Sequence, residues 1–172
     1  MSTLVTVTDW QKRRKTNKPA IQKLMEFFLR KSGQRAGIEW GEVSVVLVGD
    51  KQSRAVNRAH LGHDYATDVI SFNFDPVPGE PENEVSGEIV INVELAFRLG
   101  PDYKGPDHEL ALYFAHGCDH LAGADDNTPA RRRQMRRREL GWIKEAKKHG
   151  FGGVLFQEKK VTKPPLKKYP SP

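Results

Sequence analysis

Between residues 116 and 126 the chain reads HGCDHLAGADD, and this stretch narrows the possible folds more than any other. His116 and His120 are four apart, so on a helix they share one face, with Cβ atoms about 5–6 Å apart. At that separation two imidazoles can reach one zinc ion at about 2.0–2.1 Å. Gly123 permits a left-handed turn that ends the helix, after which the chain can fold back and present Asp126 as a third ligand. Three protein ligands with an open fourth position are the catalytic type of zinc site. Two helical histidines can also be satisfied polar groups. The glycine and the Asp125–Asp126 pair favour a metal reading, with Asp126 preferred and Asp125 a rival ligand. Cys118 points away from the histidines by roughly 160–200° at ~100° per residue, which suits a packed side chain.

A fold that carries such a helix must bury the rest of it. Leu110, Leu112, Tyr113 and Phe114 make the segment from about 107 to 122 apolar over much of its surface, with Asp107 as its expected cap. Strands are expected at 4–8, 42–48, 67–74 and 87–93, from valine-rich and alternating stretches. A helix follows Asn17 with Pro19 in its first turn and Gly33 as its stop. Asp50 is expected to cap a short helix reaching Asn57, and 93–99 forms another. Thr128 and Pro129 open the last helix, which runs to about Lys148. The order βα-βα-ββ-ααα implies an α+β domain: one small mixed sheet with helices packed on it, and a zincin-like metal helix among them. Residues 1–149 form that domain; 150–172, lysine- and proline-rich, read as a disordered basic tail.

Composition limits the function. A net charge of +6 suits a polyanionic partner. The single cysteine rules out a disulfide framework and fits a reducing compartment. No apolar run approaches the roughly 18 residues of a membrane span, and MSTLVTVTDW is no signal peptide, so a cytoplasmic location is expected. RRRQMRRR at 131–138 holds six arginines in eight residues, next to the metal loop. Arg131, Arg132, Arg133, Arg136, Arg137 and Arg138 are therefore candidate contacts to nucleic-acid phosphates, and to RNA by the resemblance described next, since arginine pairs bidentately with phosphate.

The histidine–glycine spacing follows the metzincin pattern H-E-x-x-H-x-x-G-x-x-H, but Gly117 stands where a peptidase keeps its general-base glutamate. That argues against a zinc peptidase. At this point the chain resembles the YbeY family of bacterial rRNA-maturation endoribonucleases, whose motif H-G-x-L-H-L-x-G-Y-D-H is matched at His116, Gly117, His120, Leu121, Gly123 and Asp125. Two further family signatures stand here as TDVISF (67–72) and GEIVI (87–91), so the resemblance covers roughly residues 4–148. It implies a metal-dependent endoribonuclease of single-stranded RNA, acting in rRNA maturation and ribosome quality control. One Zn2+ per chain and a ribosomal RNA or subunit partner go with that reading. Four positions depart from the family. Asp119 replaces leucine, Ala124 replaces tyrosine and Asp126 replaces the third histidine. Leu61 stands where the family favours arginine, a charge that Arg58, His60 or His63 can supply. Asp125, His63 and Arg58 are the candidates for a catalytic role beside the metal. A noncatalytic, metal-stabilised ribosome-assembly factor is the alternative suggested by Leu61 and Asp119.

Overall fold

The computed structural model describes residues 3–157. Its elements are β1 (Leu4–Asp9), α1 (Lys18–Ala36), β2 (Glu39–Val48), α2 (Asp50–Leu61), β3 (Val69–Asn73), β4 (Glu84–Asn92), α3 (Val93–Leu99), a 3-10 turn at Gly100–Asp102, α4 (Pro106–Leu121) and α5 (Pro129–Lys148). The four strands form one mixed sheet in the order β1-β2-β4-β3. β1, β2 and β4 are parallel, and the edge strand β3 runs antiparallel to β4. This is the α+β architecture expected from the element order.

The two faces of the sheet are unequal. Period-two alternation sends Val43, Val45 and Leu47 of β2 and Ile89 and Ile91 of β4 to one face, where they meet Phe28, Leu29, Phe114 and Cys118 of α1 and α4 in the main core. The opposite face buries a small cluster, Val46, Val48, Ile70 and Val90, against Val56 of α2. Helix α4 therefore lies on the thick side of the sheet, against β3 and β4.

That crossing is close because of Gly117. A Cβ there would stand 2.7 Å from Ile89 Cγ2 and 3.0 Å from Val69 Cγ1. Glycine where a peptidase carries glutamate is thus a packing requirement of this fold.

Several local expectations are corrected. α1 does not stop at Gly33. It continues to Ala36 and ends on Gly37 at φ +68°. Gly33 is buried inside the helix because the Trp40 indole lies against it and donates to the Leu29 carbonyl. Asp50 is the first residue of α2, not its cap: Gly49 is the N-cap, and the Asp50 carboxylate accepts from Asn92 and Arg98. Asp107 does not cap α4, whose N-cap is Gly105. Its carboxylate instead accepts the backbone N–H groups of Leu155 and Phe156. The segment after Gly150 is accordingly not a free tail at its start. Leu155 is 0% and Phe156 7% exposed, both in the main core. The tail expected to be disordered lies otherwise, at 158–172, outside the described residues. β4 also begins earlier than expected, at Glu84, inside the acidic stretch read as loop.

Candidate metal centre

The helix–turn predicted from HGCDHLAGADD is present. α4 ends at Leu121 and Gly123 takes φ +91°. Ala124 N–H donates to the Asp119 carbonyl, which closes the loop and brings Asp126 back over the helix. One nitrogen each of His116 and His120 and one oxygen of Asp126 lie within 4.8 Å of one another. The two Nε2 atoms are 2.9 Å apart. Asp126 Oδ2 is 3.7 Å from His116 Nε2, and Oδ1 is 3.6 Å from His120 Nε2. The last two distances are too long for hydrogen bonds. They suit donors that share one ion: two ligands on tetrahedral zinc stand roughly 3.3 Å apart for bonds of about 2.0–2.1 Å.

The surrounding groups set the imidazole tautomers. His116 Nδ1 is 2.6 Å from Glu139 Oε1, and His120 Nδ1 is 2.9 Å from the Ala124 carbonyl oxygen. Both acceptors want an N–H on Nδ1, which leaves a lone pair on each Nε2. At 2.9 Å the two Nε2 atoms need something between them, either a proton on a charged His116 or a cation. Glu139 points the same way. It is 1% exposed, and its Oε2 is buried with no hydrogen-bond partner. A buried carboxylate so placed needs positive charge nearby. Burial works against a charge on His116, but the hydrogen bond and charge of Glu139 outweigh it and hold the imidazole's pKa above its ordinary value. The donor set, the acceptors behind the two imidazoles and the unpartnered Glu139 oxygen together fit a divalent metal.

The departures noted in the sequence find their places here. Ala124 supplies His120 with a backbone oxygen, which any side chain at that position would leave intact. Asp119 is fully buried between two arginines. Arg138 donates twice to its Oδ2, at 3.0 and 2.7 Å. Arg35 Nε stands 2.9 Å from Oδ1, yet that oxygen has no aligned hydrogen bond, so the contact is Coulombic rather than directed. Arg35 also donates to the Ala122 carbonyl at the end of α4. Leu61 is exposed at the end of α2.

In front of the ligands lies a cleft of about 670 Å³, bordered by His116, Asp126 and Asp68 and by Arg132, Arg133, Arg136 and Arg137. The sidedness of α5 explains the lining. Met135, Glu139, Trp142, Ile143 and Ala146 take its buried stripe, which leaves these four arginines outside. No carboxylate pairs with them among the described residues. The other two candidates are engaged elsewhere: Arg138 with Asp119, and Arg131 with Asp125, whose two oxygens are each 2.9 Å from Arg131 Nη1. That bond holds the Asp125 carboxyl below its ordinary range, so Asp125 is a poorer proton acceptor than the sequence suggested. His63 stacks on Tyr65 and accepts or donates to its hydroxyl, and neither His63 nor Arg58 borders the cleft. The sequence reading did not single out Asp68 or Glu139. Asp68 was inside the TDVISF signature; Glu139, a lone acid after six arginines, carried no signal of its buried place.

The sequence model of the family described as Endoribonuclease YbeY matches residues 6–147. The chain belongs to the YbeY family. A relative from Anaeromyxobacter sp. (strain Fw109-5), named Endoribonuclease YbeY, is 38% identical over 118 residues, 68% of this chain and 59% of the relative. A second of that name, from Rhodopirellula baltica, is 38% identical over 63% of this chain and 55% of its own length. The chain thus spans somewhat more than half the length of these two YbeY proteins. A third, from Chlorobium luteolum, is 32% identical over 77% of this chain and 91% of its own. The solution structure of a Thermotoga maritima protein shares the fold, with a TM-score of 0.53 at 18% identity over 86% of this chain and 91% of that one. No helix among the described residues is long and apolar enough to cross a membrane.

Proposed function

We propose that this YbeY-family chain is a metal-dependent endoribonuclease that hydrolyses phosphodiesters of single-stranded RNA in the cytoplasm, during rRNA maturation and ribosome quality control. The observation that carries this reading is the adjacency of a histidine–histidine–aspartate set to a cleft lined by four unpaired arginines. His116, His120 and Asp126 would hold one Zn2+ per chain. A cation held there would supply Lewis acidity toward a phosphoryl oxygen and toward the attacking water. The protein does the rest. Glu139 and the Ala124 carbonyl fix the two imidazoles so that both Nε2 lone pairs face the site. Arg132, Arg133, Arg136 and Arg137 bind the phosphates on either side of the bond to be cut. Gly117 leaves no side chain on α4 to act as the peptidase base, which sets the zinc peptidase aside.

The test is metal content per chain and cleavage of single-stranded RNA, on untagged protein and on the His116→Ala/His120→Ala double variant. About one zinc per chain and metal-dependent cleavage, both lost in the variant, are expected. Cleavage by a metal-free double variant would refute the mechanism.

A further inference from the structure

A second cavity, of about 340 Å³, adjoins the cleft and shares Asp68, His116 and Arg136 with it. Leu95, Leu99 and Leu112 contribute apolar carbons to its lining, among polar groups. Tyr103, 68% exposed, stands at its rim and presents a ring with little covering it. Two carboxylates, Asp68 and Glu109, face in with Tyr113, and Arg136 borders this cavity as well as the cleft.

The Asp68 carboxylate is a fixed acceptor. Asp68 Oδ1 accepts from Val69 N–H at 2.8 Å and from the Thr67 hydroxyl at 3.1 Å. Both bonds fall on one oxygen, so Oδ2 makes no hydrogen bond among the described residues. Glu109 is 9% exposed, and burial, with the charge of Glu109, pushes the Tyr113 hydroxyl pKa up, so the phenol keeps its proton.

Leucine side chains, an open aromatic ring and an available carboxylate oxygen on Asp68, beside Arg136, fit one ligand chemistry. We infer that this cavity is a nucleobase subsite, in which the base next to the scissile phosphate stacks on Tyr103 and donates its exocyclic amino group to Asp68 Oδ2. Unstacked bases of single strands are held this way, by aromatic stacking and by hydrogen bonds to their edges. The carboxylate also selects. Cytosine offers an N4 amino donor to an aspartate. Uracil has the same ring size but presents a carbonyl oxygen there, which a carboxylate repels. The subsite thus discriminates cytosine, and the amino-bearing purines, from uracil. Arg136, shared by both cavities, would hold the phosphate that joins this nucleotide to the rest of the strand. The inference rests on the ribonuclease reading and adds a base preference to it.

The experiment measures fluorescence anisotropy of the full chain with oligo(C) and oligo(U) of equal length, and maps cut positions on a mixed-sequence single strand. Wild-type protein should bind oligo(C) roughly tenfold tighter than oligo(U), the scale of one hydrogen bond to a charged group. Asp68→Asn keeps an oxygen for Val69 and Thr67 and places an amide donor where Oδ2 was. It should abolish or invert the preference while the melting temperature holds. Tyr103→Ala should weaken both ligands by a similar factor, roughly tenfold. Equal binding of the two oligonucleotides by wild type, or a preference unchanged in Asp68→Asn, overturns the subsite. Cleavage that needs His116 and His120 but ignores base identity overturns it and leaves the ribonuclease standing. An Asp68-dependent preference for cytosine without any cleavage supports the subsite and removes the nuclease.

Discussion

The buried Asp119 makes a quantitative claim about the metal helix. Its carboxylate is wholly inside, but its two arginine partners are not: their side chains are 28% exposed at Arg35 and 23% at Arg138. Removing the acid therefore differs from removing a base. In Asp119→Leu the guanidinium groups can turn to water, and the leucine packs where the carboxylate was. The expected cost is about 1–2 kcal/mol, below the ~3–5 kcal/mol typical of stranding a buried charge. In Arg138→Met the stranded charge is the fully buried one, left with only the misaligned Arg35 contact, and the cost should approach that ~3–5 kcal/mol range. For a chain of this length, each 1 kcal/mol moves the melting temperature by roughly 2–4 °C. Asp119→Leu should then melt about 2–8 °C below wild type and Arg138→Met about 6–20 °C below. The double variant should be less damaged than the sum, with a coupling of about 2 kcal/mol. Scanning calorimetry or circular dichroism melts of the four proteins decide it. Additive losses, or a single arginine loss smaller than the aspartate loss, would show that the ion cluster does not work as described.

Other expectations follow from the same geometry. Glu139→Gln should weaken zinc affinity about 10–100-fold, the usual effect of removing a ligand's hydrogen-bond partner, measured by chelator competition. Ending the chain at His149 removes Leu155 and Phe156 from the core, each worth about 1.5–3 kcal/mol; denaturant unfolding should show a loss of at least ~3 kcal/mol, and an unchanged midpoint would contradict their packing. In Arg132→Ala/Arg133→Ala, the slope of log affinity for single-stranded RNA against log salt should fall by about 0.7 per arginine; a slope equal to wild type would exclude both from phosphate contact. Arg98 holds the Asp50 carboxyl below its ordinary value of 3.8, chiefly by their hydrogen bond. A depressed carboxyl pKa stabilises the fold above 3.8 and loses that contribution as pH falls through the lowered value. Arg98→Ala should therefore narrow the stability difference between neutral and strongly acid solution, as read by melts across that range.

What could be read from the sequence was what the chain determines locally. Thr128 with Pro129 marks the start of α5 because cap and first-turn chemistry act over four residues. The structure shows the Thr128 hydroxyl accepting from Arg131 N–H. The histidine pair and the Gly123 turn were legible for the same reason. Misreadings came where a distant partner decides. Gly33 and Gly37 are equally good helix stops by residue type, and only the Trp40 indole packed on Gly33 selects the second. Asp107 has the right chemistry for a cap but is claimed by backbone from residues 155 and 156. Asp119 looked anomalous beside an apolar helix until Arg35 and Arg138 were seen to converge on it. Glu139 is 23 residues from His116 in the chain, and no local pattern connects them.

The hydrogen atom that Gly117 carries in place of a side chain has a consequence for how this scaffold could diversify. A glutamate at 117 would have to displace Ile89 and Val69, which belong to the two strands beneath. Lifting α4 to make room would carry His116 and His120 away from Glu139 and Asp126 together. A helix packed this closely cannot carry a glutamate at 117 beside the two histidines, so a proton acceptor would have to come from across the cleft or with the substrate. The distance between helix and sheet thus limits the chemistry as firmly as the identity of the ligating side chains does.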